Sequence, residues 1–288
     1  MSDDPTVSDL EPATASEAGL GGRRSVPVLW IAVGLLLIAG VAAAVLTRDD
    51  RSPAERVGAA PDAVAEAGSY GFEITIAADL GAASNELRLT GDVDAEAERS
   101  SASFDVGTGR FQMVSEGSTV YVRVPEAARA AAGGRSWAKI DLGRLVPGFG
   151  GVGAGADPTT SFDALRTVGS EVEDLGEEEV RGTSTRHFRT VLDLTDQVDR
   201  LGDGQAEALG PLRDQLAAVP VDVWLDGDDR IRRQRTSLDL GAAGFAGGGK
   251  IVTTVEAFDY GKAVSIEVPP VDDVFEGDAG SLGSLFSG

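Results

Sequence analysis

The sequence predicts an α+β fold, one large antiparallel sheet with two or three helices, preceded by one transmembrane helix. Three observations carry that prediction. An uncharged apolar run covers Val26 to Leu46. Beyond it, apolar and polar residues alternate with period two in about ten segments separated by Gly-containing turns. Helical spacing is confined to a few short stretches, segregated from the strands rather than alternating with them.

Residues 1–25 are acidic, contain Ser, Thr and Pro, and hold almost no large apolar side chains. They bury too little to offset the entropy of ordering and read as a disordered tail. Val26–Leu46 has about 21 residues, which at about 1.5 Å each crosses a hydrocarbon core of about 30 Å. Core helices rarely stay apolar all round for that length. The run also exceeds a cleaved signal's apolar region of about 7 to 15 residues, so a retained anchor is favoured. Arg23 and Arg24 precede it and Arg48, Arg51 and Arg56 follow, so counting charges leaves the orientation open. Residues 47–61 read as a linker, 62–276 as the folded domain and 277–288 as a flexible tail.

Within the domain a short helix is expected over Asp62–Ala67. Phe72, Ile74 and Ile76 then alternate with Glu73, Thr75 and Ala77, the mark of a half-buried strand. The pattern repeats in Glu86–Val93, Arg99–Val106, Arg110–Ser115, Thr119–Val124 and Trp137–Leu142, a meander of antiparallel strands. Phe162, Leu165 and Val168 follow Asp157-Pro158 at helical spacing. Val172–Leu175 and Val180–Leu194 return to strand pattern. Thr195–Ala218 is a helix broken by Gly202, Gly204, Gly210 and Pro211. Val221–Leu225 and Ile231–Leu240 form a hairpin across Asp226–Asp229, whose Asp-Gly step suits a left-handed turn. Ile251–Phe258 and Ala263–Val268 are the closing strands.

Composition narrows function mostly by exclusion. With 25 basic against 47 acidic side chains the net charge is −22, which argues against nucleic acid as a partner. No cysteine is present, removing thiol nucleophiles, disulfides and a lipobox attachment site. One histidine, His187, leaves little for metal binding or general base work, and its alternating strand makes it a structural residue. Gly148–Gly153 matches GxGxxG but follows Pro147 and lacks a βαβ setting. Gly244–Lys250 imitates a phosphate loop, yet Ile251 stands where Ser or Thr is required and a strand follows. Asp226–Asp229 departs from a calcium loop, and Glu177–Glu179 reads as a solvated charge run. The arginines from Arg230 to Arg235 read as a solvated edge strand, with contact to an anionic headgroup as the sharper alternative. No convergent polar set supports an enzyme, a cofactor or a metal. Arginine far outnumbers lysine, as in GC-rich bacteria.

So large a sheet with few helices leaves apolar surface to account for. Either two halves pack into a dry core or the sheet curls around a cavity for a lipid-like ligand, and periodicity alone leaves both open. The candidate cavity residues are Phe72, Ile74, Ile76, Leu87, Leu89, Phe104, Phe111, Met113, Val120, Val122, Leu192, Leu194, Val223 and Leu238. Trp137 and Trp224 are equally packing anchors or contacts.

Several phrases carry a family resemblance: Gly117–Pro125 (GSTVYVRVP), Ser136–Ile140 (SWAKI), Val180–Phe188 (VRGTSTRHF), Val221–Asp226 (VDVWLD) and Phe258–Ile266 (FDYGKAVSI) before Pro269-Pro270. Over about Asp62 to Pro270 the chain resembles the LppX/LprG lipoproteins of actinobacteria. The resemblance implies a LolA-like half-barrel: a curved antiparallel sheet, helices across its concave face, and an apolar cavity for acyl chains of lipids or lipoglycans, without catalysis. The family's lipidated cysteine is missing, so here the transmembrane helix would be the anchor.

The expectation is therefore a single-pass plasma-membrane protein with a cytoplasmic N-terminus. Its extracytoplasmic domain holds lipid or lipoglycan acyl chains for envelope lipid transfer. It is not an enzyme and needs no cofactor. The alternatives are the ectodomain of an RseB-like sensor and a ligand-free structural envelope protein. Nothing in the sequence names a protein partner.

Overall fold

The computed structural model describes residues 51–80, 84–106, 109–117, 119–140, 158–195, 210, 213–241 and 248–277. The expected anchor Val26–Leu46, the Gly148–Gly153 motif and most of the Thr195–Ala218 helix lie outside them. Among the described residues no helix is long and apolar enough to cross a membrane.

Helix α1 runs from Pro53 to Glu66, starting well before the expected Asp62, inside what reads as linker. The missed signal is a capping box: the Ser52 hydroxyl accepts from the Glu55 backbone N–H, and the Glu55 carboxylate accepts from the Ser52 N–H. Pro53 occupies the first turn, where its missing N–H costs nothing. The chain continues helical through Pro61, which reads as a breaker in isolation. Tertiary burial of Val57, Ala60 and Val64 outweighs that local preference.

Twelve strands form a single sheet. They are β1 (Ser69–Asp79), β2 (Ser84–Asp94), β3 (Arg99–Val106), β4 (Gly109–Glu116), β5 (Thr119–Arg123), β6 (Trp137–Ile140), β7 (Glu173–Val180), β8 (Thr183–Leu192), β9 (Val219–Leu225), β10 (Ile231–Asp239), β11 (Lys250–Phe258) and β12 (Val274–Phe275). Their order is β12-β6-β5-β4-β3-β2-β1-β11-β10-β9-β8-β7. Every neighbouring pair is antiparallel except β12 and β6, which makes the sheet mixed rather than purely antiparallel. Helix α2 (Thr159–Asp163) continues into a 3-10 turn over Ala164–Thr167, and α3 is the single turn Arg213–Leu216.

Two strand expectations change. Ala263–Val268 is not a strand, because β11 already has β1 and β10 on its two sides and leaves no free edge. Instead the chain crosses the sheet: Lys262 Nζ pairs with Asp92 at 2.5 Å and its carbonyl accepts from Ser69 Oγ at 2.6 Å. Further on, Arg99 Nη1 donates to the Ile266 carbonyl at 3.5 Å, and the crossing delivers β12 to β6. Val172–Leu175 extends into the longer β7, which ends at a two-residue turn with both Arg181 (φ 49°) and Gly182 (φ 78°) left-handed.

The β9–β10 turn also differs in detail. Its left-handed residue is Asp229 (φ 57°), not Gly227. The Asp226 carboxylate accepts from the backbone N–H groups of Asp228 and Arg230, each at 3.0 Å, and so closes the turn from within.

Candidate functional site

Strand register places all thirteen candidate residues that lie within strands on one face of the sheet, with Leu194 following two residues after Leu192. Cross-strand rows make this explicit. One row runs Val223–Gln234–Val255–Ile74–Leu89–Phe104–Phe111. The next, on one side, runs Ala257–Phe72–Gly91–Ala102–Met113–Val122–Ala138, and on the other Thr236–Thr253–Ile76–Leu87. Val120 lies opposite Ser115, and Leu238 opposite Ile251. Adjacent strands are about 4.8 Å apart, so from β10 to β4 the apolar face is about 24 Å wide.

Gly91 in the second row is required by its neighbour. A Cβ there would stand 2.7 Å from the Phe72 ring and 1.9 Å from the Ser101 carbonyl, so the ring lies directly over the glycine.

The described helices α1 and α2 cover one end of this face. Val57, Ala60 and Val64 of α1, with Phe162 and Leu165 of the α2 segment, join Tyr70, Phe72, Ile74, Leu89, Phe188 and Val223 in one core cluster. Toward the other end burial decreases. Ile76, Leu87, Phe104, Phe111, Met113, Leu194 and Leu238 are only half-buried. Phe104 and Phe111 stack at 5.2 Å with their planes 10° apart, which makes an aromatic floor at this partly open end. Ile251 belongs there too. The sequence reading missed it because Ile251 and Val252 are adjacent apolar residues, so alternation alone leaves the phase undecided.

The opposite face is ionic. Arg233 and Arg181 both donate to Glu256, at 2.6 Å each, and Arg181 also pairs with Glu73 at 3.2 Å. Arg181 leaves the β7–β8 turn, while Glu256 and Glu73 lie on β11 and β1, so the edge hairpin folds over this face. A cleft of about 340 Å³ opens beside it, lined by Arg181, Thr183, Arg232, Phe258 and Asp259 among others. Burial pushes the Glu256 carboxyl up, but hydrogen bonds from Arg233 and Arg181 outweigh it and hold the group below its ordinary value.

His187 is the centre of a second cluster on this face. Its ring stacks on Trp224 at 4.1 Å, Nδ1 lies 3.0 Å from Glu178 Oε1 and Nε2 lies 2.9 Å from Asp222 Oδ1. Trp224 Nε1 donates to the other Glu178 oxygen at 2.7 Å. That indole bond, followed by the contact with His187, lowers the Glu178 carboxyl. Trp224 is therefore a packing anchor on the ionic face, away from the candidate apolar residues.

Arg230, Arg232 and Arg233 of the arginine cluster are engaged within the fold. Arg230 and Arg232 pair with Asp226 at 3.2 and 2.7 Å, and both guanidinium groups lie over the Tyr260 ring. Burial pushes the Tyr260 hydroxyl strongly up, and it donates to the Ile231 carbonyl. Arg56 holds Asp229 at 2.5 Å and Arg51 joins it, tying the start of α1 to the β9–β10 turn. Among the described residues no group of three or more His, Cys, Asp or Glu side chains is placed to hold a metal ion.

No family model matches the chain. An uncharacterized 31.2 kDa protein in the rplA–rplJ intergenic region of Streptomyces griseus is 26% identical over 168 residues, 54% of this chain and 53% of that protein. The chain thus spans about half the length of the curated relative it matches. Among solved structures, the Mycobacterium tuberculosis lipoprotein LppX is similar at 14% identity, covering 76% of this chain and all of its own, with a TM-score of 0.46. LprF from Mycobacterium bovis is similar at 11% identity, covering 75% of this chain and 96% of its own, with a TM-score of 0.43. A LolA superfamily protein from Nitrosomonas europaea gives 12% identity, 71% of this chain, 90% of its own and a TM-score of 0.30.

Proposed function

We propose that this domain binds the acyl part of a lipid or lipoglycan on the apolar face of its sheet. One observation carries the reading: the candidate apolar residues share a face whose burial under the described helices α1 and α2 decreases toward one end. The half-buried end, floored by Phe104 and Phe111, supplies the surface an acyl chain needs. Burial contributes about 0.8 kcal/mol per methylene, so a chain of ordinary length binds with little polar help.

In this reading the domain is of the LolA-like, LppX/LprG type that the sequence phrases resemble. It is extracytoplasmic, anchored through Val26–Leu46 with the N-terminus in the cytoplasm, and it carries or presents an envelope lipid without catalysis. The test uses the full chain in membranes and a photoactivatable, clickable stearate, with cross-linked residues mapped by mass spectrometry. Labelling of Leu87, Phe104, Phe111 or Leu238 is expected. Labelling confined to Val26–Leu46, or absent from the sheet, overturns the reading in favour of a filled scaffold or a protein sensor.

A further inference from the structure

Polar side chains interrupt the apolar face where β10 meets β11. Gln234 lies opposite Val255, and Thr236 opposite Thr253 one row nearer the half-buried pair Leu238 and Ile251. Gln234 is 2% exposed. Its Nε2 donates to Ser161 Oγ at 3.0 Å and to the Ser161 carbonyl at 3.3 Å, which ties β10 to α2. Its Oε1 is buried without a hydrogen-bond partner. Thr236 and Thr253 are half-buried, and among the described residues neither hydroxyl has a partner.

A buried acceptor left without a donor keeps its full desolvation cost, and apolar neighbours such as Val223, Val255 and Ile74 cannot relieve it. A plain hydrocarbon on this face leaves it unrelieved as well. A hydroxyl has the needed chemistry, because one oxygen donates to an amide oxygen and accepts from a threonine. The two threonines lie between Gln234 and the half-buried pair Leu238 and Ile251, so the three side chains form a short polar strip leading inward from that edge of the surface proposed for the acyl chain.

We propose that the lipid held on this face is hydroxylated along its chain, and that Gln234, with Thr236 and Thr253, is the group that reads the hydroxyl. The proposal rests on the lipid-binding reading and narrows it to a substrate class. A site built to hydrogen-bond a hydroxyl discriminates against the analogue lacking it, because the unmatched polar atoms stay buried and unpaired.

The experiment is competition in the full chain. The photoactivatable stearate labels the sheet, and stearate, 2-hydroxystearate, 3-hydroxystearate and 12-hydroxystearate compete for it. At least one hydroxylated competitor is expected to act at about tenfold lower concentration than stearate. Gln234→Leu should erase that ratio, and the milder Thr236→Val should cut it about threefold, which keeps the test valid if the first variant misfolds. Equal competition by stearate and all three hydroxylated acids overturns the proposal and leaves lipid binding standing, as expected if a buried water satisfies Oε1. An advantage that survives both substitutions also overturns it. A probe that never labels the sheet overturns the lipid reading itself, and the proposal with it.

Discussion

The two faces of this sheet are held by different physics. On one, Phe72, Ile74, Leu89 and Val223 pack under α1 and α2, and stability comes from apolar area removed from water. On the other, Glu73, Glu256, Arg181 and Arg233 are linked by ion pairs that salt and acid weaken. The first face leaves Phe104 and Phe111 half-buried beyond the core that α1 and α2 join. A sheet can therefore be tightly built and still offer a binding surface, provided its own packing uses one end and its ion pairs use the other side.

The sharpest way to break this comparison is within the apolar face. Phe72→Ala removes a fully buried ring that also covers Gly91, and should lower stability by about 3–5 kcal/mol. Phe104→Ala removes a half-buried ring from the less buried end and should cost about 1–2 kcal/mol. Urea unfolding followed by Trp224 fluorescence measures both. Equal costs would mean that the end called open is as tightly packed as the end under the helices.

Next in size is the tie between α1 and the β9–β10 turn. Asp229→Ala removes the part-buried carboxylate that Arg56 and Arg51 share and should cost about 2–3 kcal/mol. Arg51→Ala, at a half-exposed position, should cost less than about 1 kcal/mol. The same unfolding measurement separates them, and a neutral Asp229→Ala would show that α1 is held by its apolar stripe alone.

Much of this was legible in the sequence because period two is a strong signal. The phase of each strand around Phe72, Leu89, Phe104 and Val223 follows from local alternation, and pairing only confirms which face they share. What escaped is non-local. The capping box at Ser52 lies inside the stretch 47–61 that reads as linker, and the burial that makes it a helix comes from the sheet. The absence of a strand at Ala263–Val268 depends on which edges of β11 are already taken. The roles of Gln234 and Thr236 depend on register, because a polar residue on an apolar face is visible only once its cross-strand neighbours are known. The single left-handed residue of the β9–β10 turn fell on Asp229 because the Asp226 carboxylate caps the loop, a side-chain effect that a dipeptide rule does not contain.

A third substitution probes the ionic face. His187→Phe keeps the stack on Trp224 but leaves Glu178 and Asp222 facing an apolar ring, and should cost about 1–2 kcal/mol. His187→Gln keeps one of the two hydrogen bonds and should recover part of the loss. If both variants unfold like the wild type, the cluster is solvated and contributes nothing to holding β8 against β7 and β9.

The smallest expected effect is also the one that separates the faces most cleanly. Glu178 is lowered chiefly by Trp224, and Glu256 is lowered by Arg233 and Arg181 against the opposing effect of burial. A carboxyl whose folded pKa lies below its unfolded value contributes stability that is present above the unfolded value. That contribution is lost as pH falls through the folded one. Both groups, whose ordinary value is 4.5, therefore loosen the ionic face below the ordinary carboxylate range. Glu178 is substantially exposed, so solvent keeps its contribution small. Amide hydrogen exchange on acidification, corrected for its intrinsic pH dependence, should show protection falling first in β7 and β8 while β1 and β2 hold. Simultaneous loss would mean that the apolar face cannot stand without its ionic partner, and the division of labour between the two faces would fail.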